Sequence, residues 1–149
     1  MRIQKPSSRF RYAIRALVDL SIHQATGPVT VKAIAQRQRI PLRYLEQLFH
    51  RLRQQNLVTA ERGPRGGYQL SRPAKEIPVS LIFHSLEPAE NGSAKPFRQE
   101  DGADPMASVW RQVEKAIQTT LQATTLEALV HHVQEKTPSP VSHSFAFHI

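Results

Sequence analysis

The sequence predicts a mainly α-helical fold with one small β-hairpin. Apolar residues recur at helical spacing both before and after the middle of the chain. Between those regions lies one glycine-rich turn flanked by two short strand-like segments. The 149 residues, 40% of them hydrophobic, suffice for one ordinary domain or two small ones sharing a core.

The first helix is expected over Ser8 to His23, with Phe10, Ala13, Ile14, Leu17, Val18 and Ser21 as its apolar stripe and Arg11 and Arg15 on another face. Thr26-Gly27-Pro28 ends it. Thr30 is a plausible N-cap for a short second helix, Val31 to Gln38, with Val31, Ile34 and Ala35 inward. Arg39-Ile40-Pro41 makes a tight connection, and Pro41 suits a first helical turn. The clearest helix is Leu42 to Gln55. At about 100° per residue, Leu42, Leu45, Leu48, Phe49 and Leu52 fall on one side. Arg43, Glu46, Gln47, His50 and Gln54 cluster on the other, with Arg51 near its edge.

Val58 to Ala60 and Tyr68 to Leu70 read as short strands joined by Glu61-Arg62-Gly63-Pro64-Arg65-Gly66-Gly67. Pro73 to Pro78 is a connector, followed by a short helix, Val79 to Leu86. Glu87 to Pro105 reads as a long loop. Helical spacing returns over Met106 to Leu121. Thr124-x-x-Glu127 has the pattern of a capping box for a last helix carrying Leu126, Leu129, Val130 and Val133. Thr137-Pro138-Ser139-Pro140 ends that helix, and Val141 to Ile149 alternates weakly and reads as a strand or a flexible end.

Composition narrows the function. The chain has no cysteine, which excludes a disulfide framework, a thiol nucleophile and a thiolate metal site. No apolar run approaches the roughly 18 residues of a membrane span. Met1 to Ser8 lacks a signal-like apolar stretch, so a cytoplasmic location without membrane contact is expected. The net charge of +8 is unevenly placed. Residues 1–73 hold 14 Lys or Arg against 3 acids, whereas residues 74–149 hold 6 against 9. A basic first half points to nucleic acid.

Helix, short helix, turn, helix and hairpin is the order of a winged helix-turn-helix, whose third helix enters the major groove. Arg43 and Gln47 lie one turn apart near the start of that helix. Arg pairs with guanine, Gln with adenine, and Glu46 can accept from cytosine N4. Tyr44, His50 and Arg51 complete the expected DNA-facing set on this helix. Arg62 and Arg65 at the wing tip suit phosphate or a narrow minor groove.

Four segments carry a family resemblance: Arg11 to Leu17 (RYAIRAL), Ile34 to Gln38 (IAQRQ), Tyr44 to Phe49 (YLEQLF) and Arg62 to Leu70 (RGPRGGYQL). In this order they resemble the Rrf-two family, bacterial winged-helix transcription regulators of the IscR, NsrR and CymR type. The resemblance runs from the N-terminus to about Val133. It implies a homodimer that reads a pseudo-palindromic operator, more often as a repressor than an activator. It implies that Arg43, Glu46 and Gln47 take recognition-helix positions and that Arg62 with Gly63 makes the wing contact. It further implies a C-terminal dimerisation helix, onto which Val109, Trp110, Val113, Ile117 and Leu121 fall. The resulting division is a DNA-binding domain over 1–73, a linker, loop and dimerisation helices over 74–136, and a tail over 137–149.

The chain departs from the family pattern in three places. Many members carry three cysteines in the loop before the dimerisation helix, and these hold an iron–sulfur cluster. Here residues 90–104 contain none; Asp104 sits about where the last cysteine falls, and Ala107 about where some members have a histidine ligand. No cofactor is therefore expected, and the chain resembles the cluster-free, CymR-like branch, which can be controlled by a partner enzyme or a small molecule. Arg39 and Pro41 replace the Gly and Ser common before the recognition helix, and Arg65 replaces the first of three wing glycines. These changes are expected to strengthen attraction to the DNA backbone.

Other functions are less well supported. His84, Glu87, Asp101, Asp104, His131 and His132 show no recognisable ligand spacing for an oxygen- and nitrogen-bound metal. No phosphate loop, GxSxG elbow or HExxH motif marks an enzyme. A regulator that docks a metabolic enzyme, with DNA binding secondary, is the alternative that the acidic second half allows.

Overall fold

The computed structural model describes residues 6–86 and 104–137. Its helices are α1 (Ser8–His23), α2 (Val31–Gln38), α3 (Leu42–Gln54), α4 (Val79–Leu86), α5 (Pro105–Ala123) and α6 (Leu126–Lys136). Strands β1 (Val58–Glu61) and β2 (Gly67–Leu70) pair antiparallel, with Val58 opposite Leu70 and Glu61 opposite Gly67.

Helix α1 is the central element. Ser7 caps it, its hydroxyl accepting from the Phe10 amide at 3.2 Å. It packs against α2, α3, α4, β2 and α6, so more of its circumference is inside than one stripe would require. Ala16, Asp19 and Leu20 are buried alongside Phe10, Ala13, Leu17 and Val18, whereas Ile14 and Ser21 are only half-buried.

The buried carboxylate of Asp19 orients α2. It accepts from Arg37 Nε at 3.0 and 3.2 Å, from Arg37 Nη2 at 2.6 Å and from Gln38 Nε2 at 2.9 Å. The hydrogen bond to Asp19 raises the Arg37 pKa above its ordinary value; burial opposes this in part, and the nearby negative charge adds a smaller upward push. Arg15 donates from α1 to the Gln38 carbonyl. Thr30 caps the other end of α2, its hydroxyl accepting from the Ala33 amide at 3.1 Å, as its position suggests.

Both helices of the helix-turn-helix stop in left-handed caps. Arg39 has φ 54°, and the Ile40 amide reaches back to the Ala35 carbonyl at 3.0 Å. Asn56 has φ 58°, and the Leu57 amide reaches back to Leu52 at 2.9 Å. A non-glycine residue in this conformation costs about 1 kcal/mol. Pro41 takes the N-cap position of α3, one residue before the first helical turn. Leu45, Leu48, Phe49 and Leu52 are buried as their spacing requires. Leu42 is not: at 38% exposure it opens the helix a turn before the core begins at Leu45.

The hairpin is anchored to the body twice. Val29 and Tyr68 exchange backbone hydrogen bonds at 2.9 and 2.7 Å, which makes Val29 a third strand position. The Tyr68 ring lies 4.9 Å from the buried Phe49 ring of α3. Farther along, the Val79 amide donates to the Thr124 carbonyl and the Leu126 amide to Ile77, each at 2.8 Å, joining α4 to the α5–α6 junction.

The capping box expected at Thr124 is displaced by one residue. Thr125 is the N-cap of α6, its hydroxyl accepting from the Ala128 amide at 3.2 Å. Thr124 is the C-cap of α5, and its hydroxyl donates to the Thr120 carbonyl at 2.8 Å. With the cap at Thr125, Glu127 sits one position too early for a reciprocal box. Helix α5 extends over Pro105–Ala123, wider than the expected 106–121. The rest of the expected loop, 87–103, and nearly all of the tail, 138–149, lie outside the described residues.

One apolar core joins all of this. Leu86 of α4 and Leu126 and Val130 of α6 belong to the same cluster as Leu17, Leu45 and Phe49. A boundary at 73 therefore divides the chain by charge and not by packing.

Removing Arg37 leaves a carboxylate that is 2% exposed without its guanidinium partner, whereas removing Asp19 releases a guanidinium that is already 36% exposed. Arg37→Ala is therefore expected to cost about 3–4 kcal/mol and Asp19→Ala about 2 kcal/mol. Urea unfolding at one fixed protein concentration measures both; equal or reversed costs would contradict the assigned roles.

Candidate nucleic-acid interface

Packing of Leu45, Leu48, Phe49 and Leu52 leaves the opposite side of α3 to solvent. Arg43, Glu46, Gln47 and His50 are exposed there and, with Arg51, line one shallow open concavity. Five of the six residues expected to face DNA from this helix are thus brought together. The sixth, Tyr44, is half-buried, in edge-to-face contact with Tyr12 at 5.6 Å. The Arg15 guanidinium lies 5.5 Å from the centre of the Tyr12 ring. Tyr44 therefore braces the start of α3 against α1.

Arg51 has a second attachment that the sequence did not suggest. Its Nη1 donates to the Leu86 carbonyl at 3.4 Å, and Arg9 Nη1 donates to the same oxygen at 3.2 Å. Two cations thus sit at the C-terminal end of α4, where the helix dipole favours positive charge. Among the described residues Asp19 pairs with Arg37, and the His23 and His131 rings lie within 4 Å of the Asp19 and Glu127 carboxylates. None of these contacts draws on the cations of α3 or the wing.

At the wing, Arg62, Gly63, Pro64 and Arg65 are all exposed. Gly63 has φ 109°, a conformation that side chains rarely adopt, and its carbonyl accepts from the Gly66 amide at 2.9 Å. Gly67 is needed for a different reason. A Cβ there would lie 2.6 Å from the Val29 carbonyl carbon and oxygen, where the hairpin meets its third strand position. The glycine run therefore shapes the wing and keeps it against the body, while Arg62 and Arg65 supply charge at its tip.

The residues expected on the dimerisation helix lie on a helix with no buried residue. Val109 and Ile117 are exposed, Trp110 and Val113 are half-buried, and Leu121 packs against the molecule's own core.

Thiolate ligands for an iron–sulfur cluster are lacking. The chain has no cysteine, and Asp104 is used by the fold: its carboxylate accepts from the Met106 amide at 2.9 Å and caps α5. Among the described residues, no three His, Asp or Glu side chains gather as a metal site. The donor chemistry does not fit a thiolate-bound cluster.

A recognition helix with a polar outer face, a helix-turn-helix braced behind it and a basic hairpin beside it define a winged-helix DNA-binding protein. The sequence profile of Rrf2, described as "Iron-dependent Transcriptional regulator", matches residues 6–132, and the chain belongs to this family. It is 37% identical over 129 residues to the HTH-type transcriptional regulator IscR of Pectobacterium atrosepticum, covering 85% of this chain and 79% of that protein. The solved structure of T. potens IscR superposes with a TM-score of 0.76 at 37% identity, covering 91% of this chain and 92% of the other. CymR of B. subtilis, a global cysteine regulator, superposes with a TM-score of 0.75 at 31% identity, covering 87% and 98%. The chain is a DNA-binding transcription regulator of this family.

The close approach at Gly67 gives a test of how the wing is held. Gly67→Ala is expected to lower stability by more than about 2 kcal/mol, because backbone must move to admit the methyl group. Thermal unfolding measures this, and a loss below about 0.5 kcal/mol would contradict the account.

Proposed function

We propose that the chain acts as a homodimer that occupies a pseudo-palindromic promoter operator and represses transcription by blocking it. The observation that carries the dimer is the bare face of α5. Met106, Val109 and Ile117 are 46%, 45% and 47% exposed on a 19-residue helix with no buried side chain. Apolar exposure of this kind on a regular helix suits a second copy packed along it. Trp110 and Val113, both half-buried, fall on the same side of the helix, and Leu121 marks where it returns to its own core.

In this reading α3 lies in the major groove of each half-site. Arg43 pairs with guanine, Gln47 with adenine, and Glu46 accepts from cytosine. His50 and Arg51 border the same concavity, and Tyr44 steadies it. Arg62, Gly63 and Arg65 meet the neighbouring backbone or a narrow minor groove. The signal reaches the protein through a small molecule or a partner protein, since no thiolate is available to hold a cluster. It acts by changing how the two heads are spaced, which needs only a few kcal/mol of differential binding. The protein works in the bacterial cytoplasm as a regulator and not as a catalyst; no helix among the described residues is long and apolar enough to cross a membrane.

Selection of bound fragments from genomic DNA, followed by salt titration, tests the reading. A palindromic site bound with a steep salt slope is expected; no enrichment at low salt would contradict it. On the selected duplex, Gln47→Ala is expected to cost about 1–3 kcal/mol and to relax one base position. Arg65→Ala is expected to weaken selected and mixed-sequence DNA alike and to flatten the salt slope. Equal losses on both DNAs from Gln47→Ala would remove its base-reading role.

The dimer is tested separately. Val109→Asp with Ile117→Asp is expected to convert the dimer to a folded monomer in sedimentation analysis, because each carboxylate would have to be desolvated at the seam. An unchanged sedimentation coefficient would place the interface elsewhere.

A further inference from the structure

Both helices of the helix-turn-helix end in the same backbone motif, but different residues occupy its left-handed position. After α3 this position holds Asn56, one of the few side chains that accept such a backbone. After α2 it holds Arg39, at φ 54°. The motif there is otherwise regular: the Ile40 amide reaches the Ala35 carbonyl at 3.0 Å, and both residues are buried. Glycine is the residue that fits this position without strain. Arginine does not relieve the strain through its side chain. Arg39 is exposed, and its guanidinium makes no hydrogen bond, ion pair or ring contact among the described residues. What the fold gains from a cation here is the general attraction of the α2 C-terminal dipole, which needs no left-handed arginine, since Arg37 in the same last turn already supplies a positive charge.

Its position is informative. Arg39 stands three residues before Leu42, where α3 begins, and Arg43 is the next cation along the chain. When a helix-turn-helix lays its second helix in the major groove, the turn ahead of that helix borders the flanking sugar-phosphate backbone. A flexible cation there gains by displacing counterions from the duplex, and it gains equally on any sequence. We propose that Arg39 is a phosphate-contacting residue of the DNA-binding surface, lying outside the base-reading set and setting affinity without setting sequence. This rests on the DNA-binding reading of α3 and extends it to a residue whose backbone conformation is otherwise unfavourable.

The test uses the full chain and two variants, Arg39→Gly and Arg39→Lys. Binding is followed across a salt series on a mixed-sequence duplex and on the duplex recovered by selection, with urea unfolding in parallel. Arg39→Gly is expected to unfold at the same or higher urea, since glycine relieves the left-handed strain. It should bind both duplexes several-fold more weakly at low salt. Its plot of log affinity against log salt should be shallower by roughly 0.9, one phosphate contact. Arg39→Lys should keep most of the slope. An unchanged slope and affinity in Arg39→Gly would overturn the contact while leaving the DNA-binding reading intact. A loss confined to the selected duplex would make Arg39 a base reader, and a marked loss of stability would make it a structural residue; either overturns the proposal. Failure of the unaltered protein to bind either duplex at low salt would overturn both this contact and the reading on which it rests.

Discussion

The buried carboxylate of Asp19 is the constraint on which the placement of α2 and α3 depends. It sits inside an otherwise apolar stretch of α1 and must be fully hydrogen-bonded to remain there as a charge. Arg37 and Gln38, at the far end of α2, meet that requirement together. Because they also lead into the turn at Arg39, the pair fixes where α2 stops and how α3 departs. An apolar contact would hold the helices together but would specify their direction less sharply. Arg15, donating to the last carbonyl of α2, reinforces the same joint.

From that joint the remaining parts follow in order. Helix α3 buries Leu45, Leu48, Phe49 and Leu52 and turns its polar side outward. Phe49 then supports Tyr68, and Tyr68 bonds to Val29, so the wing is fixed to the recognition helix through side chains and to the body through backbone. Arg51 and Arg9 meet at the end of α4, so the recognition helix is also tied to the element that leads toward the second half of the chain. The exposed side of α3, the wing and the helices beyond them are therefore held on one shared core.

Much of this was legible in the sequence where a single period governs. Helix α3 has one buried and one solvated side, so its apolar spacing separated Leu45, Leu48, Phe49 and Leu52 from Arg43, Glu46, Gln47 and His50. The hairpin was legible because its glycine-rich turn is flanked by short β-prone segments. Helix α1 was less so, because packing by several elements buries Ala16, Asp19 and Leu20 beyond the expected stripe. The role of Asp19 could not be read from its neighbours, since its partners lie 18 and 19 residues away. Thr124 and Thr125 are equally good caps by composition, and they separate only in the fold, where the Thr124 hydroxyl turns back to Thr120 and its carbonyl accepts from Val79. The position of Arg51 on the polar edge was visible, but its bond to Leu86 depends on a tertiary contact 35 residues away. The apolar run of α5 was visible as well; which of its residues stay outside and which, like Leu121, join the core required the fold.

The central claim is that α3, the turn before it and the wing form one DNA-binding surface, with the outer face of α5 apart from it. Amide hydrogen exchange of the full chain, with and without the duplex recovered by selection, tests this most directly. The account predicts slowed exchange across α3 and the turn between β1 and β2 when the duplex is added, with little change along the exposed face of α5. Protection confined to α5 and α6, with α3 exchanging as in the free protein, would contradict it.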